Sequence, residues 1–235
     1  MVPLGKYFTR LCVVSKLNQV IEIDITKKSS MMLLREYIEQ RPKDKMLFKN
    51  IATIIDLDYT LVNVNTTFEF LRLVCPVKYA VFSKLFYPLL LLNRIFKRRD
   101  LYKKILIDLI IRGVPRGVLE QYARVYYNIL NKNRNKYYNR EVLSLLDNVH
   151  SQTILLSASL DIIVRNFKEL GFDIVVGSQT NYKGEKFNSY SDLYNKKYMQ
   201  LKVFLKYFDR IVIIDDSPEP EFYSMSNKII VMKVA

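Results

Sequence analysis

The sequence predicts an α/β fold in which a Rossmann-like parallel sheet is covered by helices and carries an inserted all-helical cap domain. Three short apolar runs, at 51–55, 153–156 and 211–214, have the length of strands that are buried on both faces. Between 66 and 148 the apolar residues recur at helical spacing, and no strand-like run interrupts them. Half of all residues are hydrophobic, which is enough to build a large core.

The first 50 residues are the least informative part of the chain. Segments 11–14 and 20–25 have strand character, and 31–39 is a candidate helix. We therefore interpret residues 1–50 as an accessory segment made of a hairpin and a helix. Met46 stands just before the first buried strand, so an over-long gene start is the alternative interpretation.

The helical block, residues 66–148, divides the α/β core into 51–65 and 149–235. Its most apolar stretch, 85–92, is much shorter than the roughly 20 apolar residues that a bilayer span needs. We expect this stretch to form a buried helix of the insert, with a position in a membrane interface as the alternative.

After the insert, strands and helices alternate as in βαβ units, which favours a parallel sheet covered on both faces. The predicted elements are a strand at 153–156, a helix capped by Ser159 and ended by Gly171, a strand at 172–176, a hairpin turn at 181–184, a helix at 197–208, and strands at 211–214 and 228–234.

Polar residues follow three of the predicted strands at the point where each strand ends. Asp56 and Asp58 follow the first, Ser157 the second, and Asp215 and Asp216 the third. Because the carboxyl ends of parallel strands gather at one edge of the sheet, we expect these side chains to lie close together. Asp56 could attack an electrophile or hold a cation, and Asp58 could exchange a proton.

Several carboxylates at one edge repel one another, and a divalent cation relieves that repulsion. Oxygen ligands without His or Cys nearby favour Mg²⁺. Lys197, or its neighbour Lys196, adds a positive charge that could hold a phosphoryl oxygen or steady the nucleophile. Ser157 offers a hydroxyl, and the backbone N–H groups that follow it, beginning with Ala158, are expected to open a helix and form an anion site.

These residues resemble the four motifs of the haloacid dehalogenase (HAD) superfamily, and they stand in the family's order. The motifs are D-L-D-Y-T from Asp56, T-I-L-L-S up to Ser157, a lysine in K-K-Y-M-Q-L, and I-I-D-D-S-P-E-P-E. The helical insert between the first two motifs is similar to the subgroup that includes phosphoserine phosphatase. The resemblance covers about residues 51–234 and leaves the first 50 outside.

The resemblance implies a role for each motif residue. Asp56 would be the nucleophile that forms an aspartyl-phosphate. Asp58 would protonate the leaving oxygen and then activate water, while its backbone carbonyl faces the metal. Ser157 and Lys197 would hold phosphoryl oxygens, and Asp216 would bind Mg²⁺ together with Asp56 and Asp58.

The sequence also departs from the family pattern. Asp215 stands where the family usually has glycine, so we expect Asp216 to be the metal ligand, with Asp215 as a weaker candidate. Glu221 is a weaker candidate for the further acid of the last motif. Asn65 stands where phosphoserine phosphatases carry a glutamate that pairs with the substrate amine, which argues against phosphoserine. Tyr59 replaces a smaller residue and is expected to narrow the entrance.

The sequence therefore predicts a magnesium-dependent phosphatase that forms an aspartyl-phosphate. Its expected substrate is a small phosphorylated metabolite, a sugar phosphate or a lipid head group. Phosphoryl transfer to an acceptor other than water is an alternative.

The net charge is +14, and residues 78–140 contribute +12 of it, since they hold fifteen Lys and Arg against three acids. A basic lobe attracts phosphorylated substrates, anionic membrane or nucleic acid. The chain could thus be a catalytically weak or inactive binding module. As partners we expect a small phosphorylated substrate and peripheral contact with an anionic membrane in preference to nucleic acid.

Histidine and cysteine chemistry is nearly excluded. His150 is the only histidine, and Cys12 and Cys75 lie far apart, which leaves no spacing for a zinc site or a disulfide framework. The first residues show no signal peptide. Together these features predict a cytoplasmic protein, with association to a membrane surface as a further option.

Overall fold

The protein is described by a computed structural model, which covers residues 10–14, 20–24, 50–89, 101–149 and 151–234. The strands of this part are β1 Arg10–Val14, β2 Val20–Asp24, β3 Ile51–Ile55, β4 Gln152–Leu160, β5 Ile174–Lys183, β6 Lys186–Ser191, β7 Arg210–Asp215 and β8 Ile229–Lys233. Its helices are α1 Thr66–Val74, α2 Pro76–Leu85, α3 Leu101–Ile111, α4 Arg116–Lys132, α5 Arg134–Tyr137, α6 Arg140–Asn148, α7 Asp161–Val164, α8 Lys197–Phe204 and α9 Pro220–Ser224. A 3₁₀ helix, Arg165–Leu170, follows α7.

The strands form one sheet in the order β2-β1-β8-β7-β3-β4-β5-β6. Neighbours from β8 to β5 pair in parallel, which confirms the predicted Rossmann-like α/β fold. The sheet is mixed at its edges, where β6 pairs antiparallel with β5 and the β1–β2 hairpin pairs antiparallel with β8. The candidate helix at 31–39 lies outside the described residues.

Strand β3 is central and buried on both faces, which explains its nearly continuous apolar run. Successive side chains of a strand point to opposite faces, and accordingly Ile54 and Ile55 belong to two different hydrophobic clusters. The cluster of Ile54 includes Leu201 and Phe204 of α8. The two faces of the sheet are therefore covered by different helices.

The helices between β3 and β4, α1 to α6, form the helical segment. They share a hydrophobic core with the face of the sheet that carries Ile55. The cluster that contains Ile55 also includes Leu106 of α3, Tyr126 of α4 and Phe167 of the 3₁₀ helix. Tyr127 and Phe167 pack edge to face, with ring centroids 5.3 Å apart. This continuous core fixes the helical segment over the carboxyl end of the strands.

The expectation of a buried helix at 85–92 is wrong where the structure describes this stretch. Helix α2 ends at Leu85 and buries none of its residues. Leu85 and Tyr87 are 63% and 58% exposed, and residues 90–92 lie outside the described part. Nowhere in the described chain does a helix combine the length and the hydrophobicity that crossing a bilayer requires.

Candidate active site

The sheet register brings the predicted polar residues together. Strand β3 lies between β7 and β4, with Ile55 beside Ile214 on one side and Leu155 on the other. The backbone continues this pairing by one residue, since the Asp56 N–H donates to the Ile214 carbonyl at 2.9 Å. Asp56 and Asp215 therefore leave neighbouring strands at the same level.

Lys197 lies between these two carboxylates. Its ammonium is 2.7 Å from Asp56 Oδ1 and 2.9 Å from Asp215 Oδ2, and all three side chains are buried. Lys196 is exposed and precedes the first residue of α8. The structure thus places Lys197, and not Lys196, among the carboxylates.

Burial is the main influence on the ionisation of Asp56 and Asp216. It raises the pKa of the Asp56 carboxyl to about 8, although the Lys197 ammonium works in the opposite direction. Burial also raises the pKa of Asp216, with the charge of Asp215 adding to the effect. The pKa of Lys197 lies above its ordinary range, because the attraction of Asp56 and Asp215 outweighs the desolvation of the ammonium.

Asp56, Asp215 and Asp216 together suit a divalent cation. Each offers one oxygen atom, and these atoms all lie within 4.8 Å of one another. Three carboxylates against the single Lys197 ammonium leave a formal charge of −2 when all are ionised. A hard, oxygen-only donor set of this kind fits Mg²⁺. Both aspartates of the last motif belong to this set.

The side chain of Asp58 is turned toward the helical segment and does not belong to that carboxylate set. Its Oδ1 accepts from the Thr66 N–H at 2.9 Å and from Thr66 Oγ1 at 2.6 Å. Its Oδ2 accepts from Ser159 Oγ at 2.9 Å. Three donors therefore fix this carboxylate between the start of α1 and the end of β4.

Thr60, the last residue of D-L-D-Y-T, joins the first motif to the fourth. Its hydroxyl accepts from the Asp216 N–H at 2.9 Å and lies 3.3 Å from Asp216 Oδ1. Tyr59 stands between Asp58 and Thr60 with a left-handed backbone (φ 59°) and is 55% exposed. The turn thus directs its polar residues inward and presents the Tyr59 ring to solvent.

The Ser157 region differs from its prediction. The N–H groups after Ser157 do not open a helix, because β4 continues to Leu160 and α7 begins only at Asp161. The pairing of β4 with β5 shifts register between Leu156 and Leu160, as at a β-bulge, which re-aims residues beside a site. Ser157 is buried, and its Oγ accepts from the Ser159 N–H at 3.0 Å.

Ser159 is not the predicted helix cap. It lies within β4, and its hydroxyl binds Asp58 across a separation of 101 residues. Asn65, in contrast, does cap a helix: its side chain accepts a hydrogen bond from the Phe68 N–H at the start of α1. The side-chain oxygen of Asn65 is therefore used in capping the N-terminus of α1.

Glu219 is a site residue that the sequence did not reveal. Its two carboxylate oxygens accept from the backbone N–H groups of Lys197 and Tyr198, each at 2.9 Å. It is buried, and burial raises the pKa of its carboxyl. Glu221, the predicted weaker candidate, is exposed in the first turn of α9. Glu219, and not Glu221, therefore holds the helix start that presents Lys197.

Tyr126 of α4 contributes a buried hydroxyl that makes no hydrogen bond within the described residues. Burial raises the pKa of this phenol, and the carboxylates of Asp58 and Glu69 add to the effect. A buried hydroxyl without a hydrogen-bond partner lowers the stability of the folded state.

Comparison with known proteins identifies related folds. A family model described as haloacid dehalogenase-like hydrolase matches residues 53–202, which is more than half of the chain. Among solved structures, a protein of unknown function from Bordetella pertussis Tohama I is 12% identical; the match covers 74% of this chain and 86% of that one, with a TM-score of 0.58. A phosphoserine phosphohydrolase-like protein from Francisella tularensis subsp. tularensis SCHU S4 is 18% identical, with coverages of 76% and 83% and a TM-score of 0.51. No curated protein matches the sequence. At these identities the structural likeness demonstrates a shared fold.

Proposed function

Since the chain belongs to the haloacid dehalogenase-like hydrolase family, we propose that this hydrolase is a magnesium-dependent phosphatase that acts through a phosphorylated Asp56. The observation that supports this most strongly is the contact of Asp56 with Lys197, beside the carboxylates of Asp215 and Asp216. A nucleophilic carboxylate, a fixed ammonium and a cation-binding acidic pair are the groups that phosphoryl transfer requires.

In the first proposed step an Asp56 carboxylate oxygen attacks phosphorus, and the bond from phosphorus to the ester oxygen breaks. Asp58, after protonation and release from its donors, gives a proton to that oxygen, so that the alcohol leaves neutral. Water then loses a proton to Asp58 and attacks phosphorus, which releases inorganic phosphate and restores Asp56. A bound Mg²⁺ would offset negative charge on the transferred group.

Two further groups are positioned to hold the phosphoryl oxygens. Lys197 supplies a buried ammonium whose place is fixed by Glu219 at the start of its helix. Ser157 supplies a hydroxyl from within β4, the strand next to β3, and we propose the Ala158 N–H as its neighbour in this role. Asp58 would add its backbone carbonyl to the metal ligands.

The test is hydrolysis of p-nitrophenyl phosphate in MgCl₂ and in EDTA. We expect turnover that depends on the metal and that falls by at least about 10³-fold in Asp56→Asn, because the nucleophile is lost. Asp147→Asn, which changes an exposed aspartate on α6, is the matched control and should retain full activity. Metal-dependent turnover that persists in Asp56→Asn would contradict the proposal.

We propose a small phosphorylated substrate, such as a metabolite, a sugar phosphate or a lipid head group, because the helical segment contacts Asp58 and Ala158 of the site directly. Release of inorganic phosphate from a panel of such compounds identifies the substrate class.

If an alcohol added to the reaction becomes phosphorylated and no inorganic phosphate is released, the enzyme is a phosphotransferase.

Helix α2 supports a second proposal, in which the enzyme is cytoplasmic and makes peripheral contact with an anionic membrane. Val77, Val81 and Leu85 are spaced by four residues and are 74%, 56% and 63% exposed, so they form one apolar stripe. At 100° per residue, Lys78 and Lys84 flank this stripe on opposite sides, and α2 contains no acid. Apolar residues bordered by lysines fit the boundary between head groups and acyl chains.

Sedimentation with vesicles tests the membrane proposal. We expect binding to phosphatidylcholine vesicles that contain phosphatidylserine, and several-fold weaker binding of Val81→Asp, which places a carboxylate in the stripe. Val125→Asp, at an exposed valine of α4, is the control. Binding that is equal in both variants, or absent with anionic vesicles, would contradict the proposal.

A further inference from the structure

Lys103 of α3 is a buried lysine that lies against the backbone at the end of β4. Its ammonium donates to the Ala158 carbonyl at 2.7 Å and to Asp192 Oδ1 at 3.2 Å. The side chain is only 6% exposed, and a buried ammonium is unfavourable unless acceptors compensate it. The helical segment thus places a positive charge on one particular peptide group.

A second donor reaches the same carbonyl from the sheet. Ser178 Oγ of β5 donates to the Ala158 oxygen at 2.7 Å and accepts from the Leu193 N–H at 3.0 Å. The Ala158 carbonyl therefore receives two short hydrogen bonds, one from α3 and one from β5. Its direction is fixed by two separate elements.

The other end of this peptide group points at Ser157. The N–H that belongs to the Ala158–Ser159 peptide donates to Ser157 Oγ at 3.0 Å. A cation at the carbonyl end polarises the amide and strengthens its N–H as a donor. Because Ser157 Oγ accepts this bond, its own proton is directed elsewhere, and no protein group in the described residues takes it.

We propose that Lys103 is a positioning residue that keeps the Ser157 hydroxyl oriented as a donor toward a phosphoryl oxygen of the substrate. The lysine acts through the Ala158–Ser159 peptide and does not touch the phosphoryl group. This inference rests on the proposed phosphatase function, in which Ser157 holds the transferred group. It assigns to the helical segment an indirect part in forming the anion site, through Lys103 of α3.

The test is a double-mutant cycle of Lys103→Met and Ser157→Ala with two readouts. Calorimetry measures the affinity for inorganic phosphate in MgCl₂, and p-nitrophenyl phosphate gives kcat and KM. We expect Lys103→Met to weaken phosphate binding and lower kcat by about tenfold each, as loss of a charge-assisted hydrogen bond does. In the Ser157→Ala background the same change should have almost no further effect, because the group on which it acts is gone.

Lys104→Met, at the exposed neighbouring lysine of α3, is the matched control and should behave as the wild type. Full additivity of Lys103→Met with Ser157→Ala, or a Lys103→Met variant that equals Lys104→Met, would overturn the proposal. If Lys103→Met does not fold, Ser178→Ala enters the same cycle and must be non-additive with Ser157→Ala.

The two readouts separate the positioning role from the enzymatic one. A wild type that binds phosphate without turning over any phosphoester refutes the phosphatase function, while the binding cycle still decides the role of Lys103. A wild type that binds no phosphate overturns the role of Lys103 as well.

Discussion

At the scale of single residues, the site brings together charges that the metal-free protein accommodates poorly. Asp56 is buried beside Asp215, and one ammonium serves both carboxylates. The pKa of Asp56 rises to about 8, far above the value of about 3.9 in an unfolded chain. The native state therefore binds more protons than the unfolded state between these two pH values.

This difference gives the metal-free protein a pH-dependent stability. A carboxyl whose pKa is raised on folding contributes stability that is present below its unfolded pKa and lost as the pH rises through its folded pKa. In EDTA the free energy of unfolding should therefore fall between about pH 5 and about pH 8. Urea unfolding at several pH values measures this fall, and Asp56→Asn should reduce it. If the free energy of unfolding falls equally steeply with pH in the wild type and in Asp56→Asn, the pH dependence does not come from Asp56.

Predictability from the sequence also differs from residue to residue. Asp56, Lys197, Asp215 and Asp216 stand at or next to strand or helix ends, where local pattern and motif order reveal them. Ser157 lies within β4, and motif order reveals it. Ser159, Glu219 and Lys103 act through contacts that span 101, 22 and 55 residues. No local pattern encodes such contacts, because only the folded sheet and the packed helices create them.

At the scale of elements, α8 illustrates how a helix end is made part of a site. The helix begins at Lys197, and no side chain at the preceding residue caps it. Glu219, from the segment after β7, accepts from its first two N–H groups instead. A carboxylate at a helix N-terminus also interacts favourably with the helix dipole. The same contact therefore stabilises α8 and fixes the position of the Lys197 backbone, from which the side chain extends to the carboxylates.

Replacing Glu219 should affect both properties. Glu219→Ala is expected to lower the free energy of unfolding by about 1–2 kcal/mol, as loss of a helix cap does. It should also lower kcat by about tenfold, because Lys197 loses its fixed position. Glu221→Ala, at an exposed residue of the same segment, is the control for urea unfolding and for kinetics. Equal effects of the two substitutions would show that Glu219 has no special role.

At the scale of the whole molecule, the fold joins an acidic site to a basic helical segment through one hydrophobic core. The succession of strands and helices along the chain, and the helical character of the described parts of 66–148, could be predicted, because buried strands and helices differ in apolar period. The exposure of α2 could not be predicted, because an apolar run has the same sequence pattern whether it is buried or exposed. The position of the helices over the site depends on packing with residues such as Phe167, which are distant in sequence.

The most direct measurement follows the phosphoryl group itself. Asp58→Asn is expected to slow hydrolysis of the phosphorylated enzyme, because the base that activates water is lost. Acid quenching of this variant during reaction with p-nitrophenyl phosphate and MgCl₂, followed by peptide mass spectrometry, should locate one phosphoryl group on Asp56. Phosphate on another residue, or none in a protein whose wild type turns over, would contradict the proposed mechanism.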